Sequence, residues 1–167
     1  GTPDEVAEYF GTGDECQLAM HFPLMPQLFL AVAVEWAQPI SEVLAATPEP
    51  PPGCSWATFL RNHDELSLET VTDHERQQMY EVYCPEERMR ANVGIRRRLA
   101  PLLEHRPEVH LLLTSLLLSL PGTPILYYGD EIGMGDNIWL EDRDAVRTPM
   151  QWTTSGGFST NPVTYYP

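Results

Sequence analysis

An apolar run ends abruptly within Phe59-Leu60-Arg61-Asn62-His63-Asp64-Glu65-Leu66, and this switch constrains the fold more than any other feature of the chain. A strand packed on both faces reads as a short apolar run, and in an α/β barrel its reactive side chains emerge where its carboxyl end meets a loop. His63 and Asp64 sit at such an exit. Taken alone, Asn62, His63 and Asp64 fit more readily the cap of a following helix, because Asn and Asp are favoured caps and turn formers. A second exit of the same kind, about sixty residues further on, changes that balance. Pro124-Ile125-Leu126-Tyr127-Tyr128 is apolar and aromatic and breaks at Gly129-Asp130-Glu131-Ile132-Gly133-Met134. The region between reads as helical, and strand, helices, strand in that order predict a parallel α/β arrangement.

The flanking segments are read in the same terms. Gly1 to Glu15 looks like loop and turn, with Gly11, Gly13 and Asp14 as breakers. Cys16 to Phe22 alternates weakly and stops at Pro23, which predicts a short strand. From Leu24 the pattern Leu28, Leu30-Ala31-Val32-Ala33-Val34, Trp36 predicts a buried helix, its valines leaving a strand as the alternative, and Ile40 to Ala46 continues helically. Pro48-Glu49-Pro50-Pro51-Pro52-Gly53 is a connector, since proline is excluded from helix interiors and central strands. Helices are expected over His74 to Tyr83 and Glu86 to Asn92. Pro107 suits the first turn of a long apolar helix, Glu108 to Leu120, closed by Pro121-Gly122. Its most apolar part, Leu111 to Leu120, is too short to span a bilayer and reads as buried. Beyond Gly129 no regular helix is expected.

With 43% hydrophobic residues, the 167-residue chain has enough apolar material for a core. Its 24 acidic residues face only 10 basic ones, all arginine, which disfavours nucleic acid and anionic membranes as partners. Arg96-Arg97-Arg98 is the nearest thing to a basic patch and reads as a solvated helix face paired with Glu86, Glu87 or Glu104. Cys16, Cys54 and Cys84 are widely spaced and show no metal or disulfide pattern, which predicts a reducing, cytoplasmic setting. The amino terminus lacks the basic and apolar regions of a signal peptide. Three parallel strands cannot close an eight-stranded barrel and would leave both edges and one face uncovered, as Tyr165 and Tyr166 at the end of the chain also imply. The expected fold is α/β and incomplete.

Several stretches resemble one family. Phe59 to Asp64 resembles the end of the seventh barrel strand of the α-amylase family of retaining glycoside hydrolases and transglucosylases. Gly122 to Gly133 resembles its eighth strand and following loop, and Met20-His21-Phe22-Pro23-Leu24-Met25-Pro26 its sixth strand. Arg143-Asp144-Ala145-Val146-Arg147-Thr148-Pro149-Met150-Gln151-Trp152 is similar to members acting on small α-glucosides. Arg88 to Leu102 and Ile132 to Leu140 are similar to members that interconvert maltose and trehalose. The resemblance implies a partial TIM (β/α)8 barrel, approximately strands 6 to 8, over residues 1–152, with 153–167 a truncated loop after the last strand.

The same resemblance implies roles. Asp64 would stabilise the oxocarbenium-like transition state by gripping sugar hydroxyls, and His63 would donate to the same ring. Arg147 would hold the non-reducing glucose, directly or through a carboxylate elsewhere; an ion pair with Asp142 or Asp144 fits its spacing equally well. The nucleophile and acid/base follow the fourth and fifth strands in the family, upstream of Gly1, so the segment by itself is expected to be inactive. Glu5, Glu8 and Glu15 read as loop acids. Maltose and trehalose are the implied substrates, and the amino-terminal part of the barrel the implied structural partner. No cofactor is implied in this segment, and a structural calcium, where relatives have one, lies outside it. Asp136, Asn137, Glu141, Asp142 and Asp144 read as a solvated loop rather than a metal site. Loops Glu65 to Asp73 and Gly133 to Arg143 are lid material. The alternatives are a hydrolytic α-glucosidase and a non-catalytic sugar-binding module using Trp56, Trp139 and Trp152.

Overall fold

The computed structural model describes residues 2–157. A capping box starts the chain: Thr2 accepts from the Glu5 amide and Glu5 accepts from the Thr2 amide, with Pro3 in the first turn, and helix α1 (Pro3–Ala7) follows. A 3-10 turn, Glu8–Phe10, continues it and buries Phe10 edge-on against Trp56, ring centres 5.2 Å apart. Loop was expected here. The capping signal Thr2-x-x-Glu5 is present in the sequence but precedes no apolar periodicity, so composition concealed it.

Strand β1 (Leu18–Met20) leads into α2 (Leu24–Ala33), which buries Leu24, Met25, Leu28, Phe29, Leu30 and Ala31. Burial around most of its circumference explains the valine-rich run and resolves it as helix. The helix stops earlier than the pattern predicts: Glu35 takes a left-handed φ of 53°, and Trp36 is 63% exposed instead of buried. Helix α3 (Gln38–Ala45) then starts separately with proline in its first turn and packs on α2.

After the proline connector, β2 (Ser55–Phe59) lies parallel to β1 on one side, with Leu18 beside Ser55, and to β6 (Thr123–Ile125) on the other, with Ala57 beside Thr123. The order β1-β2-β6 is the parallel arrangement expected, with β2 central. Gly122 makes the β2–β6 approach possible: its φ is 123°, and a Cβ there would stand 2.6 Å from the Trp56 carbonyl oxygen.

A second sheet was not foreseen. Strands β3 (Leu66–Ser67), β4 (Arg90–Ala91) and β5 (Gly94–Ile95) form an antiparallel sheet ordered β3-β5-β4. Two-residue strands carry no periodicity, so pairing alone creates them. The expected helix over Glu86 to Asn92 is only the 3-10 turn Glu87–Met89 before β4. Between β3 and β4 runs α4 (Asp73–Tyr83), started by a Thr72–Glu75 capping box. Its Met79 and Tyr83 pack on α2, and the Tyr83 hydroxyl donates to the Phe29 carbonyl at 2.8 Å. Short α5 (Leu99–Leu102) precedes α6 (Pro107–Ser119). The shared core joins Leu28, Phe29, Phe59, Leu66, Met79, Leu113 and Leu117, each burial worth roughly 1.5–3 kcal/mol.

Helix α6 departs from expectation in burial. Only Leu113 and Leu117 are enclosed; Leu111, Leu112 and Leu118 are 58–67% exposed. Strand β6 is exposed along its whole length. Each is packed on one side only, which is how an incomplete barrel leaves elements with two apolar faces. No helix among the described residues is long and apolar enough to cross a membrane. Most of the loop expected over 153–167, and both terminal tyrosines, lie outside the described residues.

Candidate functional site

The parallel strands deliver their polar side chains at their carboxyl ends, as the sequence predicts. Beyond β2 the chain makes a tight turn in which the Asn62 side-chain oxygen accepts from the Asp64 amide at 2.9 Å. Asn62 is thus a turn former, but no helix follows; β3 does. The fully buried Arg61 guanidinium donates to the Asp64 carbonyl at 2.7 Å and to the Arg97 carbonyl at 2.8 Å. These contacts set the main chain of Asp64 from beneath.

Three residues singled out from the sequence meet here. The His63 ring nitrogen Nε2 lies 3.5 Å from Asp64 Oδ2, with the imidazole largely exposed and the carboxylate partly so. Arg147 arrives from the loop after β6, 83 positions away, donating through Nε to the His63 carbonyl at 2.9 Å and through Nη2 to Asp64 Oδ1 at 2.8 Å. Its partner is therefore Asp64 and neither Asp142 nor Asp144. A second arginine escaped the sequence reading: Arg143 stands 3.7 Å from Asp64 Oδ1 and 3.8 Å from Glu65 Oε2, and also pairs with Asp142. Its only signal was its place four residues before Arg147 in a loop that the 3-10 turn Asp142–Val146 folds tightly. A cavity of about 310 Å³ opens beside Asp64, lined by Val6, Phe22, Glu65, Ser67 and Arg143.

Arg96, Arg97 and Arg98 bring that loop into place. They do not form a solvated helix face. Arg96 is buried and donates to the carbonyls of Arg88, Ile138, Leu140 and Asp142. Arg97 Nε donates to Asp136, whose carboxylate also accepts from the Arg98 amide at 2.7 Å. Arg98 is fully buried, donates to the Tyr128 carbonyl and lies over the rings of Tyr127 and Tyr128. Carbonyl oxygens of a folded-back loop, invisible to a charge count, are better placed partners than the surface glutamates.

Asp130, at the exit of β6, is buried near this layer. Burial pushes its carboxyl up to about 6, opposed by the nearby Arg61 and Arg98 charges. Burial also pulls the Arg61 guanidinium down to about 10, so it stays protonated at neutral pH.

Three members of the acidic loop are already committed to partners within the chain. Asp136 is committed to Arg97 and Arg98, Asn137 Oδ1 accepts from the Trp139 amide, and Asp142 pairs with Arg143. Among the described residues, no three His, Cys, Asp or Glu side chains cluster as metal ligands. The three cysteines are free. Of the tryptophans, Trp56 is buried in packing, whereas Trp139 and Trp152 are more than 70% exposed, Trp139 with the Arg88 guanidinium 3.8 Å from its ring centre.

A family model for the alpha-amylase catalytic domain matches residues 2–167. The chain belongs to the α-amylase family. It is 63% identical over 163 residues to the trehalose synthase/amylase TreS of Mycolicibacterium smegmatis, covering 94% of this chain and 28% of that protein. It is 58% identical over 160 residues to the trehalose synthase of Pimelobacter sp., again covering 28% of the relative and 90% of this chain. The chain thus spans little more than a quarter of the length of these curated relatives. The crystal structure of alpha-amylase from H. orenii superposes with a TM-score of 0.59 at 21% identity, covering 94% of this chain and 26% of that one, a likeness of fold. The α-amylase-family member described here is a partial α/β unit of that barrel fold.

Proposed function

We propose that this α-amylase-family chain supplies strands 6 to 8 of a TIM barrel as β1, β2 and β6, and that the complete protein interconverts maltose and trehalose by intramolecular transglucosylation. The observation that carries this reading is the convergence of Asp64, His63 and Arg147 at the carboxyl end of the central parallel strand. Identities of 58–63% to proteins named trehalose synthase support the substrate pair.

In this reading Asp64 is the transition-state stabiliser. Its carboxylate accepts hydrogen bonds from sugar hydroxyls, and these strengthen as the ring flattens toward the oxocarbenium ion. His63 donates to the same ring, while Arg147 orients Asp64 and the non-reducing glucose together. The nucleophile and the acid/base come from the preceding part of the barrel, so the isolated chain is inactive. A glucosyl group held covalently on that nucleophile is attacked by the anomeric hydroxyl of the retained glucose, and exclusion of water separates isomerisation from hydrolysis. The segments after β2 and β6 contribute the cover.

The test is to express the full-length protein, supply maltose and resolve trehalose from glucose. Trehalose as the main product is expected. Glucose as the main product reassigns the protein to the hydrolytic α-glucosidases, and no turnover reassigns the strand-end residues to sugar binding alone.

A further inference from the structure

We propose that Arg61 is a positioning residue for the Asp64 carboxylate, acting through the main chain of the β2 exit; this rests on the role proposed for Asp64. An arginine at the end of a buried strand is an expensive choice for a core, since a charge taken out of water needs full compensation. Arg61 is 1% exposed, and its two hydrogen bonds run to two separate chain segments. Nη2 holds the Asp64 carbonyl and Nε holds the Arg97 carbonyl. Its remaining Nη1 has no protein partner, and the nearby Asp130 supplies the largest compensating charge.

The consequence is a rigid path from the arginine layer to the site. Arg97 is itself tied to Asp136 and thereby to the loop that carries Arg143 and Arg147. Arg61 therefore references the Asp64 main chain to the same frame that places Arg147. Asn62 fixes the Asp64 amide and Arg61 the Asp64 carbonyl, so both peptide groups flanking this Cα are held. A planar fork is required: a lysine ammonium keeps the charge but cannot present the same fixed pair of donors in one plane. A carboxylate whose hydrogen bonds must strengthen only in the transition state is sensitive to displacements of a fraction of an ångström.

The experiment uses Arg61→Lys and Arg61→Gln in the full-length protein, with kcat and KM for maltose and the inhibition constant of a glucose-configured iminosugar that mimics the cationic transition state. For Arg61→Lys, kcat is expected to fall about 10- to 100-fold with KM changed by less than about threefold, and the iminosugar constant to rise in step with the loss of kcat/KM. Arg61→Gln should lose at least as much. An inhibition constant does not depend on the fraction of active enzyme, so a fall in kcat with that constant unchanged assigns Arg61 to the core and overturns the proposal. Unchanged kinetics, or variants that do not fold, overturn it as well. Wild-type protein that turns over neither maltose nor trehalose would instead refute the proposed function, a result distinct from any Arg61 effect.

Discussion

Single side chains carry the proposed chemistry, and their partners decide what they can do. Asp64→Asn preserves shape but removes the anion that Arg147 addresses, so on the role proposed for Asp64 the kcat/KM of the full-length protein should drop by about 10²–10³-fold. On its proposed role, Arg147→Ala should raise KM for maltose by about tenfold and lower kcat as well, because the side chain would orient both the sugar and the Asp64 carboxylate. Steady-state kinetics on both variants checks these outcomes. His21 shows how burial sets a protonation state. Its Nδ1 accepts from the Leu24 amide, and its Nε2 faces Thr47, whose hydroxyl donates to Val43, so the imidazole must donate at Nε2 and remain neutral. Burial lowers its pKa to about 4 from the ordinary 6.5. Between those values the unfolded chain binds the extra proton, so the stability due to His21 is complete above about 6.5 and falls as pH drops toward 4. Asp130 works the opposite way: raised to about 6, it takes up a proton first in the folded state and favours folding as pH falls from 6 toward 3.8. His21→Gln should therefore flatten the acid-side decline of the thermal midpoint of the full-length protein, measured from pH 7 to pH 4.

Elements depend on contacts that no local pattern reports. Strand β6 can lie against β2 because Gly122 offers no Cβ to the Trp56 carbonyl. Gly122→Ala should destabilise by about 1–3 kcal/mol, through the close contact and the left-handed-side φ together, and lower the midpoint in thermal unfolding. The long apolar pattern of α6 and the proline at its start were legible, as was α4, because 3.6-residue periodicity and caps are local signals. The break after α2 was not: it follows from Glu35 adopting a left-handed conformation between two packed helices. The β3-β5-β4 sheet was equally invisible, since its strands are made by pairing and not by alternation.

At the scale of the molecule, the exposed leucines of α6 and the bare β6 form apolar surface that the rest of an α-amylase barrel would cover. The 167-residue chain expressed alone is expected to bind a hydrophobic dye and to lack a cooperative thermal transition, whereas the full-length protein shows one. A sharp transition from the chain alone would show that the core around Phe29, Phe59 and Leu113 suffices.

The sequence by itself determined the parallel α/β order and the strand exits, because apolar runs and breakers are written along the chain, while the family resemblance of Phe59 to Asp64 and of Arg143 to Trp152 singled out His63, Asp64 and Arg147 as candidates. Only the tertiary structure decided that Arg147 pairs with Asp64, that Arg143 joins them, and that Arg61, Arg96 and Arg98 lie buried. The reason is physical. A guanidinium is satisfied by carbonyl oxygens wherever folding brings them together, and sequence separation of 36 to 83 residues leaves no local trace of that meeting.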